Sequence, residues 1–321
     1  MGSINQSSLG TILAFEQIIE VLVNKERLIQ TVVTMLVSLI FICINSIMFH
    51  TLLSKPVFRE LPRYILFAHM LCNDTVQLVL SPVFFMLFQF WQKIPKFICS
   101  FLIFLAATTA NISPLNLGVM SLERYVAICF PLHHSEMATQ RMTGISIAII
   151  WFLGCISVVI DILYALIVDP LSFKDPMYCT REMFTFSQWQ RDVFQGLAGF
   201  FFVAVTVIII FTYVSVILAA RSASADKESA KKAWRTVLLH FGQLVLCLNS
   251  LMYGTFERAL IMVNSRSLFI NLRVVNFLVV LILPRCLSPL IYGLRDDAVR
   301  PLFLYYVRCG TQKVKPSVTA H

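Results

Sequence analysis

With 321 residues, 58% of them hydrophobic and only 13% charged, the chain falls outside the soluble globular range, where about a quarter of residues are charged. Its net charge of +9 sits in short Lys and Arg clusters between apolar runs and forms no continuous basic stripe, which argues against nucleic acid as a partner. Nine cysteines show neither CxxC nor Cys/His ligand spacing, so no metal or cofactor is implied, and Cys43, Cys72, Cys129, Cys155, Cys247 and Cys286 read as packing residues inside apolar runs.

Residues 1–27 carry no basic start followed by a long apolar core, so a cleaved signal peptide is not expected and the segment reads as an extracellular N-terminal tail. Crossing a bilayer takes about 20 mostly apolar residues. Seven segments reach that length: 28–53, 62–90, 97–129, 142–168, 192–220, 231–263 and 268–293. The expected fold class is therefore an all-α membrane protein, a seven-transmembrane helix bundle over 28–293 whose termini lie on opposite sides. With the C-terminus cytoplasmic, the inner segments hold fourteen basic residues against nine outside, so the N-terminus faces out. Asn5-Gln6-Ser7 agrees as a glycosylation acceptor on the outer side, although such triplets also arise by chance. Asn73-Asp74-Thr75 has the same pattern but lies inside the second span, out of reach.

The remaining segment, 294–321, holds a short amphipathic eighth helix and a cytoplasmic tail. From Asp296 to Arg308, Val299, Leu302, Phe303, Tyr306 and Val307 share one stripe and Arg300 and Arg308 lie off it, which suits the inner membrane surface. Cys309 closes the helix, either as a palmitoylation site or as a free cytosolic thiol. Ionisable residues inside spans are costly. The informative ones are Asp74, Glu123, Arg124, His240 and Arg285. Pro82, Pro114, Pro284 and Pro289 interrupt spans, where neighbouring helices must satisfy the freed carbonyls.

At the cytoplasmic end of the third span, Glu123-Arg124-Tyr125 runs on into Val126-Ala127-Ile128-Cys129-Phe130-Pro131-Leu132. This uninterrupted run resembles the rhodopsin-like (class A) G protein-coupled receptors and, within them, the odorant (olfactory) receptor family. Further landmarks fall in register over nearly the whole chain. They are Asn45, Asn73-Asp74, Cys99 lying 25 positions before Arg124, Trp151, Tyr213 and Pro289-Leu290-Ile291-Tyr292. Lys232-Ala233-Trp234-Arg235-Thr236 with His240 is similar to the start of that family's sixth span, and Leu283-Pro284-Arg285-Cys286-Leu287-Ser288-Pro289 is most similar to fish odorant receptors. Two positions depart from the pattern: Val205 stands where the fifth span usually carries proline, and Ser288 where Asn or Asp usually precedes the last proline.

The resemblance implies a plasma-membrane odorant receptor that binds a small ligand in the bundle and activates a heterotrimeric G protein of stimulatory type, raising cyclic AMP. Arrestin and a receptor kinase are further expected partners, alongside the lipid bilayer. It implies a disulfide between Cys99 and Cys179, the two cysteines on the oxidising side. Glu123, Arg124, Tyr125, Tyr213, Pro289 and Tyr292 would form the coupling switch, with Arg124 held at rest by its acidic neighbour; from position alone, Arg124 also reads as a snorkelling anchor. The ligand cavity would be lined by Ile103, Ala106, Ala107, Ala110, Asn111, Leu197, Phe201, Leu248, Leu251, Met252, Thr255, Leu278 and Leu281. That lining is apolar, with Asn111 as the expected polar anchor. Asp74 would bind sodium with Ser113 in related receptors; here Arg285, one turn before Pro289, is expected to pair with it instead, the alternative being an Arg285 facing a hydrated cavity. A membrane transporter would show paired interrupted repeats, and none is visible. An intramembrane hydrolase would need partners that His69 and His240 lack, so no enzyme is expected. A receptor of the same fold acting outside olfaction remains the near alternative.

Overall fold

The computed structural model describes residues 6–223, 274–293 and 298–308, with single positions at 242, 245, 246, 272 and 296. Helices run α1 Gln6–Leu53, α2 Pro56–Glu60, α3 Pro62–Gln89, α4 Lys96–Cys129, α5 His134–Met137, α6 Gln140–Val168 and α7 Gln188–Ala223, then α8 Leu283–Gly293 and α9 Val299–Val307. Five stretches are long and apolar enough to cross a membrane: Leu28–Leu53, Pro62–Gln89, Lys96–Cys129, Gln140–Val168 and Gln188–Ala219. These match the first five predicted spans to within about four residues at every end. The predicted sixth span lies outside the described residues except at 242, 245 and 246, which are helical.

One boundary differs in character. The predicted N-terminal tail is itself helical from Gln6, so α1 extends well before its membrane-crossing part. Leu9, Ile12, Leu13, Ile18, Ile19 and Leu22 recur at helical spacing there, and lengthening a helix costs far less than nucleating one.

The helices begin where the chain offers helix-compatible residues. Pro56 and Pro62 open α2 and α3 at positions whose N–H would be unpaired anyway. Thr139 caps α6 by accepting a hydrogen bond from the Met142 N–H at 3.2 Å. Large apolar side chains such as Leu39, Phe152, Phe200 and Val203 point outward, where lipid takes the place of a protein core.

Helix α4 is the hub, packing on α3, α6 and α7. With little hydrophobic drive between helices in lipid, polar side chains bind this hub. The Asn73 amide donates to Thr109 O (2.9 Å) and Ser113 Oγ (2.8 Å), and buried Gln77 donates to Ala106 O and Thr109 Oγ1. Trp151 Nε1 donates to His69 Nε2 at 2.9 Å, which leaves Nδ1 of a neutral ring to donate to Asn116 Oδ1 at 3.1 Å. Gly154 lets α6 approach closely, since a Cβ there would sit 2.9 Å from Ile112. In α7, Val205 takes the place of the usual proline and packs with Leu117, Ile209 and Tyr213.

Besides the 3-10 turns Leu171–Lys174 and Arg181–Phe184, a strand pair and a π turn lie outside regular α-helix among the described residues. Strands β1 (Lys93–Pro95) and β2 (Pro176–Tyr178) pair antiparallel across the outer mouth, with Lys93 opposite Tyr178. In the last span, Phe277–Ile282 form a π turn in which the Leu283 N–H reaches back to Leu278 O. Pro284, next in line, has no N–H to continue an α ladder, which helps to account for the wider turn.

Candidate functional site

At the outer end, Cys99 and Cys179 are joined in the expected disulfide, with Cα atoms 5.4 Å apart. Cys99 lies in the first turn of α4, just after β1, and the bond ties the loop before α7 to that turn. Charged contacts that sequence reasoning did not single out complete this cap. The Lys96 ammonium, almost wholly buried, donates to Ser172 Oγ at 2.7 Å and pairs with Asp169 at 3.4 Å, with the Phe173 and Phe186 rings about 5 Å away. The Asp169 carboxyl is held below the usual carboxylate range, first by the Ser172 hydroxyl and then by Lys96. Asp161, buried near the outer end of α6, takes the Arg181 guanidinium at 2.7 Å and the Gln190 amide at 3.2 Å. Arg181 also lies 3.7 Å over the Phe194 ring. Asp161 was legible as an ionisable residue in an apolar run; its partners were not.

Below the cap, the predicted cavity residues that are described fall in more than one cluster. Ile103 is buried against Cys99, Val158 and Phe184, with Ala107 at the edge of that cluster. Ala106, Ala110, Leu197 and Phe201 are half-buried on α4 and α7. Leu278 and Leu281 lie in the π turn and border the cluster of Leu78, Phe85, Phe277 and Ile282. Asn111 has a defined task already, since its amide donates to Gly154 O at 3.0 Å and ties α4 to α6. Leu248, Leu251, Met252 and Thr255 lie outside the described residues.

Midway through the bundle, Asp74 and Arg285 are both buried, and the Cys286 thiol lies within electrostatic reach of both. The Ser113 hydroxyl accepts from the Asn73 amide at 2.8 Å. Arg285 also donates to Leu281 O, one turn back.

At the inner end, the Glu123 carboxylate meets His134 Nε2 at 3.3 Å, a partner on α5 that the sequence did not suggest. Arg124 is half-buried beside it. Tyr125 stacks near Phe130 and Phe211, with centroids 5.6 and 5.5 Å away, and Tyr213 is buried on α7. Pro289 lies buried within α8. The side chain of Tyr292, together with Asn5 and Cys309, lies outside what is described. Tyr64 at the start of α3 donates to Asp296 at 3.2 Å, and Asp296 Oδ1 in turn accepts the N–H groups of Ala298 and Val299 at the head of α9.

Residues 44–292 match the family described as the 7 transmembrane receptor (rhodopsin family). The chain is 33% identical to Odorant receptor 131-2 of Danio rerio, over 99% of this chain and 97% of that protein. It is 27% identical to the human Olfactory receptor 2M5, over 74% of this chain and 77% of the relative. With human Olfactory receptor 2L5 the identity is 26%, over 66% and 68%. These are receptors and not enzymes, and the chain belongs to the rhodopsin family of seven-transmembrane receptors and, within it, to the odorant receptors.

Proposed function

We propose that this receptor sits in the plasma membrane with its N-terminus outside, binds a small, largely apolar odorant among the outer halves of its helices, and activates a stimulatory G protein that raises cyclic AMP. The likeness to an odorant receptor over nearly the whole chain carries this reading. The apolar lining supplied by Ile103, Leu197, Phe201, Leu278 and Leu281 supports the ligand class, and no carboxylate occurs among the predicted lining residues to hold an amine. With the Asn111 amide committed to Gly154, selectivity rests mainly on shape. In the same reading, Glu123, Arg124, Tyr125, Tyr213, Pro289 and Tyr292 form the switch, 231–263 the sixth span and α9 an eighth helix on the inner membrane surface. Asn5 carries a glycan, Cys309 a palmitoyl group, and arrestin and a receptor kinase end the signal.

The test is expression with an olfactory-type G protein and a screen of odorants, amino acids and amines for cyclic AMP. A neutral apolar agonist whose response is abolished by Arg124→Ala, with surface expression intact, is the expected result. Solute transport without any G-protein signal would overturn the proposal. An ion pair between Asp74 and Arg285, which their shared burial supports, predicts that sodium leaves agonist affinity unchanged. A sodium-dependent shift in the wild type would exclude it.

A further inference from the structure

Between the outer end of α3 and the loop that follows β2 lies a cleft of about 130 Å³, lined by Leu87, Phe88, Trp91, Gln92, Tyr178 and Thr180 and backed by Cys179 of the disulfide. Its walls are aromatic. The Trp91 ring stands 5.7 Å from Phe88 and 5.8 Å from Tyr178, nearly edge-on to the latter. Tyr178 is held by its pairing with Lys93 in the β1–β2 ladder and by the adjoining Cys99–Cys179 bond.

Trp91 is held in an unusual way. Among the described residues it is the non-glycine residue with a positive φ, 52°, a left-handed backbone that is strained for an L-residue. A turn alone would be served better by glycine. The indole does not recover this cost by burial, because 60% of Trp91 remains exposed. The strained backbone instead holds a flat apolar surface at the edge of the cleft.

From this we infer that the cleft is a second binding site, separate from the bundle cavity, for a small neutral molecule of about one aromatic or alicyclic ring. Volume sets the size, since an apolar cavity of about 150 Å³ takes up benzene. The lining residues themselves carry no ionised side chain, the Gln92 amide already donates to Phe90 O at 3.1 Å, and the cation nearby, Lys93 Nζ 5.1 Å over the Tyr178 ring, disfavours a cationic ligand and leaves a neutral one. A lipid acyl chain is a poorer fit, because so small a volume holds only a few methylene groups and one wall is loop. The disulfide behind the cleft also packs on Ile103, so this site shares a wall with the proposed odorant cavity. In that position it would collect the same class of neutral odorant at the mouth of the bundle.

The test uses the full chain in phosphatidylcholine nanodiscs with a trifluoromethyl phenyl diazirine as a single-ring photoprobe and toluene as competitor, read by peptide mass spectrometry. Saturable labelling of the peptides containing Trp91 and Tyr178, displaced by toluene, is expected. Trp91→Gly relieves the backbone while removing the indole, so it should keep or raise thermal stability yet weaken labelling about tenfold. Trp91→Asn, also tolerant of the left-handed region, serves as a second variant. Labelling spread along lipid-facing helices, displaced by added lipid but not by toluene, or unchanged in both variants, would overturn the inference. No G protein enters this readout, so a failure here is distinguishable from a failure of the signalling assignment.

Discussion

The two ends of the bundle are built differently. At the outer end a disulfide, a short β-ladder and two ion pairs fasten the loop before α7, and two of the charged groups, Lys96 and Asp161, are nearly buried. Among the described residues the inner end is held without a covalent link, by a His134–Glu123 pair at 3.3 Å, the rings around Tyr125 and the Tyr64–Asp296 hydrogen bond. A covalent cross-link and desolvated charges hold one arrangement, whereas a histidine pair and stacked rings can exchange partners at small cost. The disulfide-bonded end is thus preorganised and the opposite end is left able to move.

Breaking the outer end should cost most. Cys179→Ser opens a link across 80 residues, worth roughly 4 kcal/mol by loop-closure entropy, and should nearly abolish surface receptor by immunostaining of intact cells. Asp161→Ala leaves the Arg181 guanidinium without its carboxylate in a mostly buried place and should cost about 2–3 kcal/mol, less than a fully buried pair because Arg181 keeps some solvent. It should appear as a lower thermal midpoint, and adding Arg181→Met should restore much of the loss.

The inner end should respond in activity more than in stability. Glu123→Gln or His134→Ala should lower stability by less than about 1 kcal/mol yet raise basal cyclic AMP about threefold. Equal losses of stability at both ends would erase the contrast. The smallest effect concerns pH. Because the Asp169 carboxyl titrates below its ordinary value, its tether to Ser172 and Lys96 is complete above about pH 4, the unfolded carboxylate range, and is lost only as pH falls further through the folded value. Hydrogen exchange of the loop at 171–178 should therefore be flat from neutral to mildly acidic pH and rise only in strong acid.

Much of this was legible in the residues. Lipid tolerates only long apolar helices, so five span boundaries could be read from composition, and Cys99 and Cys179 stood out as the pair facing the oxidising side. What escaped notice depends on pairs brought together in space. His69 meets Trp151 across 82 positions and Lys96 meets Asp169 across 73. Asn111 illustrates the limit: its place on α4 was legible, but the hydrogen bond from its amide to Gly154 O on α6 was not.

The π turn at Phe277–Ile282 carries one further consequence. An extra residue in a turn rotates everything beyond it by about 100° relative to an uninterrupted α-helix. The part of the helix before Leu283 is thereby phased independently of the Pro289 end, and the π turn sets the direction in which Leu278 and Leu281 face. Deleting one residue within the turn would restore a continuous wheel and swing the outer face about a quarter of a revolution, altering which side chains an odorant meets while leaving the cytoplasmic surface where it is.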